Sequence, residues 1–264
     1  MTYVDGTSCL PLQRLEPQVV RRGFSLLELI VVISITSLLA GLLLPALSSV
    51  RENANRVLCG TNQRQLGQAL TMYSGDRRNR LPKASVLDLP EPDPSLLAMV
   101  RQGVGSLVSI NASDNNRTIP LPLQDSTWDG LGELYRLRYC DSPEPYYCPS
   151  HEGEHTLLEC GELWDDLLVE EPLFGNYQYV GHKDWRTGKR RSLLQGRKLV
   201  LATDGLRTKS DFSHGVGYNT LRGDGSVTWK DDVLVRMNLS YQPPDDVDGL
   251  RDLDDLIYAI FSGE

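Results

Sequence analysis

The run RRGFSLLELIVVISITSLLAGLLLPAL, residues 21–47, most constrains what this chain can become. From Phe24 to Leu47 it is apolar almost throughout, and Glu28 is the only charge between Arg22 and Arg51. A bilayer-spanning helix needs about 20 apolar residues, so the length suffices. Arg14, Arg21 and Arg22 precede the run. The positive-inside bias therefore predicts a cytoplasmic N-terminus, with everything beyond about residue 50 on the other side. A secretory signal peptide fits poorly. Its apolar region is about 7–15 residues and ends at small residues, whereas this run is longer and LLLPALSSVREN offers no clean site. A plain anchor fits the length but leaves Glu28 unexplained, because a carboxylate in hydrocarbon costs at least about 2.5–3.5 kcal/mol.

With 264 residues the chain has room for one or two domains. Outside residues 24–47 it is more polar, rich in Pro and Gly, and predicts only a modest core. The net charge of −8 argues against nucleic acid as the main partner, since phosphate binding requires a basic face. The one basic cluster, RTGKRR at 186–191, reads as a solvated hairpin loop rather than a phosphate site. Of five cysteines, removal of residues 1–23 would leave Cys59, Cys140, Cys148 and Cys160, an even number that suits an oxidising compartment. Four cysteines allow three pairings, and the sequence does not choose among them.

RRGFSLLELIVVISI closely resembles the prepilin leader-and-helix motif of type IV pilins and type II secretion pseudopilins. The resemblance implies a leader, 1–23, that a prepilin peptidase removes on the cytoplasmic side by cutting between Gly23 and Phe24. Phe24 would become an N-methylated N-terminus. Glu28 would sit fifth in the mature chain, where the family pairs its glutamate with the terminal amine of a neighbouring subunit. In a low-dielectric filament core the two opposite charges attract strongly, and each alone would carry a large desolvation penalty. Pro45 falls where many pilins carry a helix-kinking proline. The implied partners are the peptidase, other pilin or pseudopilin subunits and an inner-membrane assembly platform. The implied location is the inner membrane, single-pass, with a periplasmic C-terminal domain or a cell-surface filament. No cofactor and no catalysis are implied, and a membrane-anchored periplasmic enzyme or binding protein is the alternative.

Beyond the filament-core segment 24–47, residues 48–75 read as an amphipathic continuation of the same helix. Ala54, Leu58, Thr61, Gln65, Leu66, Ala69 and Tyr73 form the expected buried stripe, with Arg51, Glu52, Arg56, Gln63, Arg64 and Gln68 opposite. Gly60 and Gly67 are unfavourable inside a helix and point to close packing on a sheet. Gly75 is the expected stop. Residues 76–264 form the globular part. Within it 81–125 reads as a loop-rich insertion holding a short helix near 94–103, 128–140 as a turn and short helix, and 146–151 as a short extended piece. GNYQYVGH at 175–182, RKLVLATDG at 197–205, GVGYNTLR at 215–222 and SVTWKDD at 226–232 read as four strands, the last two joined by Gly-Asp-Gly. Residues 245–262 predict an acidic amphipathic helix. The sum is an α+β, pilin-like fold: one long helix on a small antiparallel sheet.

His214, followed after nine residues by Asp224-Gly225, resembles the H-X9-DG mark of a pilin-like group abundant in planctomycete-type bacteria, and places a motif hairpin within 197–232. A hydrogen bond from His214 to Asp224 or Asp204 is its expected role. Cys148, His151, His155 and Cys160 are candidate zinc ligands, although their spacing matches no finger pattern and disulfides are preferred. Cys59–Cys148, clamping helix to sheet, with Cys140–Cys160 remaining, is the pairing expected from the helix face. Asp204 and Asp224, with Asp211, Asp231 and Asp232, could offer oxygen ligands to calcium. Walker, GxSxG, HExxH and kinase motifs do not occur.

Overall fold

Leu26–Asp76 form one continuous helix, α1, within two residues of the expected boundaries. The computed structural model describes residues 24–89, 94–103, 107–112, 115–120, 127–165, 172–205, 213–214 and 216–231, together with Tyr258. The remaining elements are β1 (Met99–Arg101), β2 (Leu107–Ala112), β3 (Asn115–Pro120), α2 (Gly132–Arg136), α3 (Leu157–Cys160), β4 (Leu173–Phe174), β5 (Tyr177–Tyr179), β6 (Val200–Asp204), β7 (Gly217–Arg222) and β8 (Val227–Asp231), with short 3-10 turns between them. One long helix and small antiparallel sheets make an α+β, pilin-like architecture. The C-terminal helix expected at 245–262 lies outside the described residues except for Tyr258, whose ring meets that of Trp185 at 5.5 Å.

The chain divides into two units after Ser48. In the first, α1 exposes its apolar side chains all round, Leu42 at 69% among them, and Phe24 just before it is 80% exposed. It is the one helix, among the described residues, long and apolar enough to cross a membrane. Two of its hydroxyls are bonded within the helix: Ser34 donates to the Ile30 carbonyl at 2.7 Å and Thr36 to the Val32 carbonyl at 3.0 Å. Such back-bonding satisfies donors that lipid could not. The helix runs through Pro45, whose ring cannot donate to the carbonyl one turn back.

In the second unit α1 buries Cys59, Gly60, Gln63, Leu66, Gly67, Ala69, Leu70, Tyr73 and Ser74. The expected stripe is thus rotated. Leu66, Ala69 and Tyr73 are buried as expected, but Ala54, Leu58, Thr61 and Gln65 are exposed and Gln63 is fully buried. Gln63 tolerates burial because its amide nitrogen donates to Asp204 at 2.7 Å and to the Asn219 carbonyl at 3.4 Å. A polar side chain with such partners belongs to the interior as readily as a leucine.

The sheet under this half of α1 has the order β5-β6-β7-β8, antiparallel throughout, and uses all four expected strands. Gly223-Asp224-Gly225 turns β7 into β8, with Gly225 at φ 79° and its N–H donating to the Arg222 carbonyl at 2.8 Å. A Cβ at Gly67 would stand 2.8 Å from Leu221 of β7, whereas one at Gly60 would meet nothing nearer than 3.5 Å. Close packing therefore explains Gly67 and not Gly60. Beside the sheet, Trp164 is buried among Trp128, Tyr135, Tyr146 and Tyr147 and donates its indole N–H to the Tyr147 hydroxyl at 2.9 Å.

Three local expectations change. The helix near 94–103 is a 3-10 turn, Pro94–Ala98, running into β1, which pairs with β4. The loop-rich insertion contains a hairpin, β2 with β3. Residues 146–151 form no strand: Tyr146 ends a 3-10 turn, Tyr147 is extended at φ −120° and ψ 137°, and the chain turns again at 149–150. Alternation and turn residues are weak guides in segments this short, where tertiary neighbours decide.

The RTGKRR loop is indeed a hairpin, bridged by Lys183 and Arg190. Asp88 holds its base through Lys83 at 2.7 Å and Lys183 at 2.8 Å. Burial opposes the Asp88 charge, but the two lysines outweigh it and hold the carboxyl below its ordinary value. A depressed folded value contributes stability above the unfolded pKa of about 3.9, lost as pH falls through the folded one. Asp88→Asn is expected to lower the melting temperature at pH 7, and its gap from wild type to close progressively below about pH 4 in a pH series of thermal melts. Gly60→Ala should gain stability of up to about 1 kcal/mol by helix propensity. Gly67→Val should lose about 1–3 kcal/mol by overpacking, both read by urea denaturation.

Candidate functional site: a processing motif and a buried cysteine–histidine–carboxylate cluster

At the start of α1, Glu28 reaches back so that its Oε2 accepts the Ser25 backbone N–H at 2.9 Å. The first N–H groups of a helix have no partner within it, and a carboxylate in the first turn also suits the positive end of the helix dipole. Glu28 is therefore already poised beside the backbone nitrogens of the residues that a cut before Phe24 would leave at the terminus. Gly23 lies outside the described residues, Phe24 is exposed, and Pro45 lies inside α1.

A second constellation forms where α1, β6 and β7 meet. Asp204, at the end of β6 and 1% exposed, accepts from Gln63 at 2.7 Å, from the Cys59 thiol at 2.8 Å and from the Asn219 backbone N–H at 2.6 Å. His214 lies just before β7. Its Nδ1 is 2.7 Å from Glu52 Oε1, and its Nε2 is 3.5 Å from Cys148 Sγ and 3.6 Å from Asp204 Oδ2. The Tyr177 hydroxyl lies 3.4 Å from Cys59 Sγ and 3.2 Å from the Tyr147 carbonyl, and its one hydrogen is shared between them. The Trp229 ring covers the imidazole edge-on at 5.5 Å.

The charges are strongly coupled. Burial, then the Cys148 charge, pushes the Asp204 carboxyl up to about 7. Burial opposes protonation of His214, but its bond to Cys148, the Cys148 and Asp204 charges and the Glu52 bond outweigh it and raise the imidazole to about 9. Hydrogen bonds from Cys59 and His214 lower the Cys148 thiol, while burial raises that of Cys59. Burial also opposes the Glu52 charge, but bonds from Ser150 and His214 hold the carboxyl below its ordinary value. A Glu52 carboxylate can only accept, so His214 Nδ1 carries the hydrogen and Nε2 points at the thiols.

Several expected roles change with this geometry. Of the two carboxylates offered to His214, Asp204 is the near one, while Asp224 lies exposed in its turn, accepting from Ser226 N–H at 3.0 Å and Ser226 Oγ at 2.6 Å. Cys59, Cys140, Cys148 and Cys160 are all free thiols, so neither expected disulfide is formed, although Cys59 and Cys148 do share the cluster. The set Cys148, His151, His155 and Cys160 does not assemble: His151 Nε2 bonds the Glu154 carbonyl at 2.7 Å and His155 stacks near Phe174. The calcium ligands are likewise scattered, with Asp231 accepting from Trp229 Nε1 at 3.0 Å and Asp211 and Asp232 outside the described residues. Glu52 and Gln63 were missed because both were placed on the polar face. Glu52, Cys59, Gln63 and Leu66 recur at spacings of seven, four and three, the signal that could have found them.

Residues 20–44 match the family model described as the prokaryotic N-terminal methylation motif. This is the motif of a pilin-like precursor. The match covers the Arg-Gly-Phe junction, Glu28 and most of the apolar run, and it stops before Pro45. Searches of the curated proteins and of the solved structures return no match. The H-X9-DG resemblance of His214, Asp224 and Gly225 has no match behind it.

Removing the Asp204 carboxylate strands three buried donors, each worth about 1 kcal/mol or more. Asp204→Ala should therefore destabilise the folded unit by about 3 kcal/mol in urea titrations, while Asp224→Ala leaves the midpoint near that of wild type.

Proposed function

We propose that the chain is a structural subunit of a type IV pilus or a type II secretion pseudopilus. The prepilin-type motif at residues 20–44, followed by the apolar half of α1, carries this reading. The motif marks the chain as a substrate of prepilin peptidase, so its primary chemistry is something done to it. The proposed cut falls between Gly23 and Phe24, with methylation of the new Phe24 amine. The proposed mature subunit spans the inner membrane once, with residues from about 50 onward in the periplasm.

The all-round exposure of α1 up to Ser48 supports assembly: hydrocarbon this extensive must be covered by lipid or by other helices. Glu28 supports it too. In the uncut chain its carboxylate bonds the Ser25 N–H. A new Phe24 ammonium, on the same subunit or its neighbour, would offer a stronger, charge-assisted donor. The cut would thus turn a poorly tolerated carboxylate into half of an ion pair that sets subunit register.

Mass spectrometry of the chain extracted from its own cells tests the cut. The expected N-terminus is N-methyl-Phe24, and an intact Met1 or a start beyond residue 40 would overturn the reading. Glu28→Ala is expected to leave the cut in place and to abolish incorporation into sheared filaments or pseudopili. Normal incorporation of that variant would remove Glu28 from the assembly mechanism.

A further inference from the structure

We propose that Cys59, Cys148 and His214 bind one zinc-class dication as a metal clamp joining the helix of the globular unit to its sheet. Among the described residues these three form the one cluster of His, Cys, Asp and Glu groups whose ligand atoms all lie within 4.8 Å of one another, and all three residues are buried. Zinc takes thiolate at about 2.3 Å and imidazole at about 2.0 Å in a tetrahedron, so its sulfur and nitrogen ligands stand about 3.5 Å apart. Cys148 Sγ and His214 Nε2 are 3.5 Å apart, and Asp204 Oδ2 is 3.6 Å from the same nitrogen. Cys59 Sγ is 2.8 Å from Asp204 Oδ1, an S–H···O bond that would open as the thiol proton leaves.

The surroundings of the cluster are those of a metal centre. A metal-binding histidine typically donates its other ring N–H to a carboxylate, which fixes the tautomer and aims the free nitrogen at the ion. His214 does this with Glu52 at 2.7 Å. Asp204 is held in turn by the Gln63 amide and the Asn219 N–H. The Tyr177 hydroxyl lies within reach of Cys59 Sγ, as donors around a coordinated thiolate do. Binding displaces the Cys59 proton, any proton on Cys148 and the Nε2 proton of His214, which leaves the imidazole neutral with its Nδ1 hydrogen on Glu52. Two thiolates and an imidazole select zinc over calcium or magnesium, which take oxygen ligands. The ligands come from α1, the turn after Tyr147 and the segment just before β7, far apart in sequence. One ion would tie all three.

The test uses the full chain, extracted in detergent, reduced, freed of metal with a chelator and titrated with Zn2+ against a chromophoric competitor. Wild type should bind one equivalent of Zn2+, and Co2+ in its place should show tetrahedral d–d bands with thiolate charge transfer. Cys148→Ser should lose stoichiometric binding. Glu52→Gln, which leaves every ligand in place, should bind about 10- to 100-fold more weakly and so decides the matter if Cys148→Ser does not fold. Failure of the reduced wild type to take up zinc would overturn the site. So would binding that both variants retain unchanged, or a Cys59–Cys148 disulfide in chain alkylated at extraction. None of these outcomes bears on cleavage before Phe24, so the clamp and the pilin reading fail separately.

Discussion

The Asp204 carboxylate is the fixed point of the globular unit. It ends β6, is buried, and accepts from the side chains of Gln63 and Cys59 on α1 and from the backbone of Asn219 on β7. Three structural elements are located by one group. A carboxylate this deep would be costly alone, and its bonds are what make it tolerable. The same bonds fix which way α1 is turned. Gln63 must face the sheet to reach Asp204, and that orientation carries Leu66, Leu70 and Tyr73 inward and leaves Leu58 outside. The hydrophobic stripe of the helix is thus set by a hydrogen bond as much as by its leucines.

The two stretches of α1 obey different solvents. Up to Ser48 the surface is hydrocarbon, and the Ser34 and Thr36 hydroxyls bond back to the helix. Beyond it the helix has one buried face, interrupted by polar residues that find partners on strands. A single hydrophobic period cannot describe both, and a stripe drawn through Ala54, Leu58, Thr61 and Gln65 misses the buried face because Gln63 belongs to it. Charge tells a similar story. The chain is acidic overall, yet Glu52, His214, Cys148 and Asp204 form a local system in which each group's protonation depends on its neighbours.

The fold class was legible because its signals are long. A 51-residue helix leaves many turns of pattern, and four strands around Gly-Asp-Gly leave alternation and a turn that demands positive φ. Short pieces were not legible. β1 and β4 have three and two residues and exist because each supplies the other's hydrogen bonds. The processing motif was legible for a different reason: a peptidase reads it as linear sequence, so its information lies in the order of residues from Arg21 to Glu28. The buried cluster is the opposite case. Cys59, Cys148 and the Asp204–His214 segment lie far apart along the chain, and no spacing links the three.

The sequence by itself determined the long helix, its apolar first half, the methylation motif at residues 20–44, and the strand–turn–strand that ends in Asp231. These are properties of neighbours along the chain, governed by period, length and order. Only the tertiary structure decided which face of α1 is buried, that Glu52 and not Asp224 holds His214, and that Cys59 and Cys148 meet an imidazole and a carboxylate as free thiols. Those outcomes depend on through-space distances between segments, and a hydrogen bond or a ligand sphere is satisfied by whichever residue folding brings within about 3 Å, wherever it lies in the sequence.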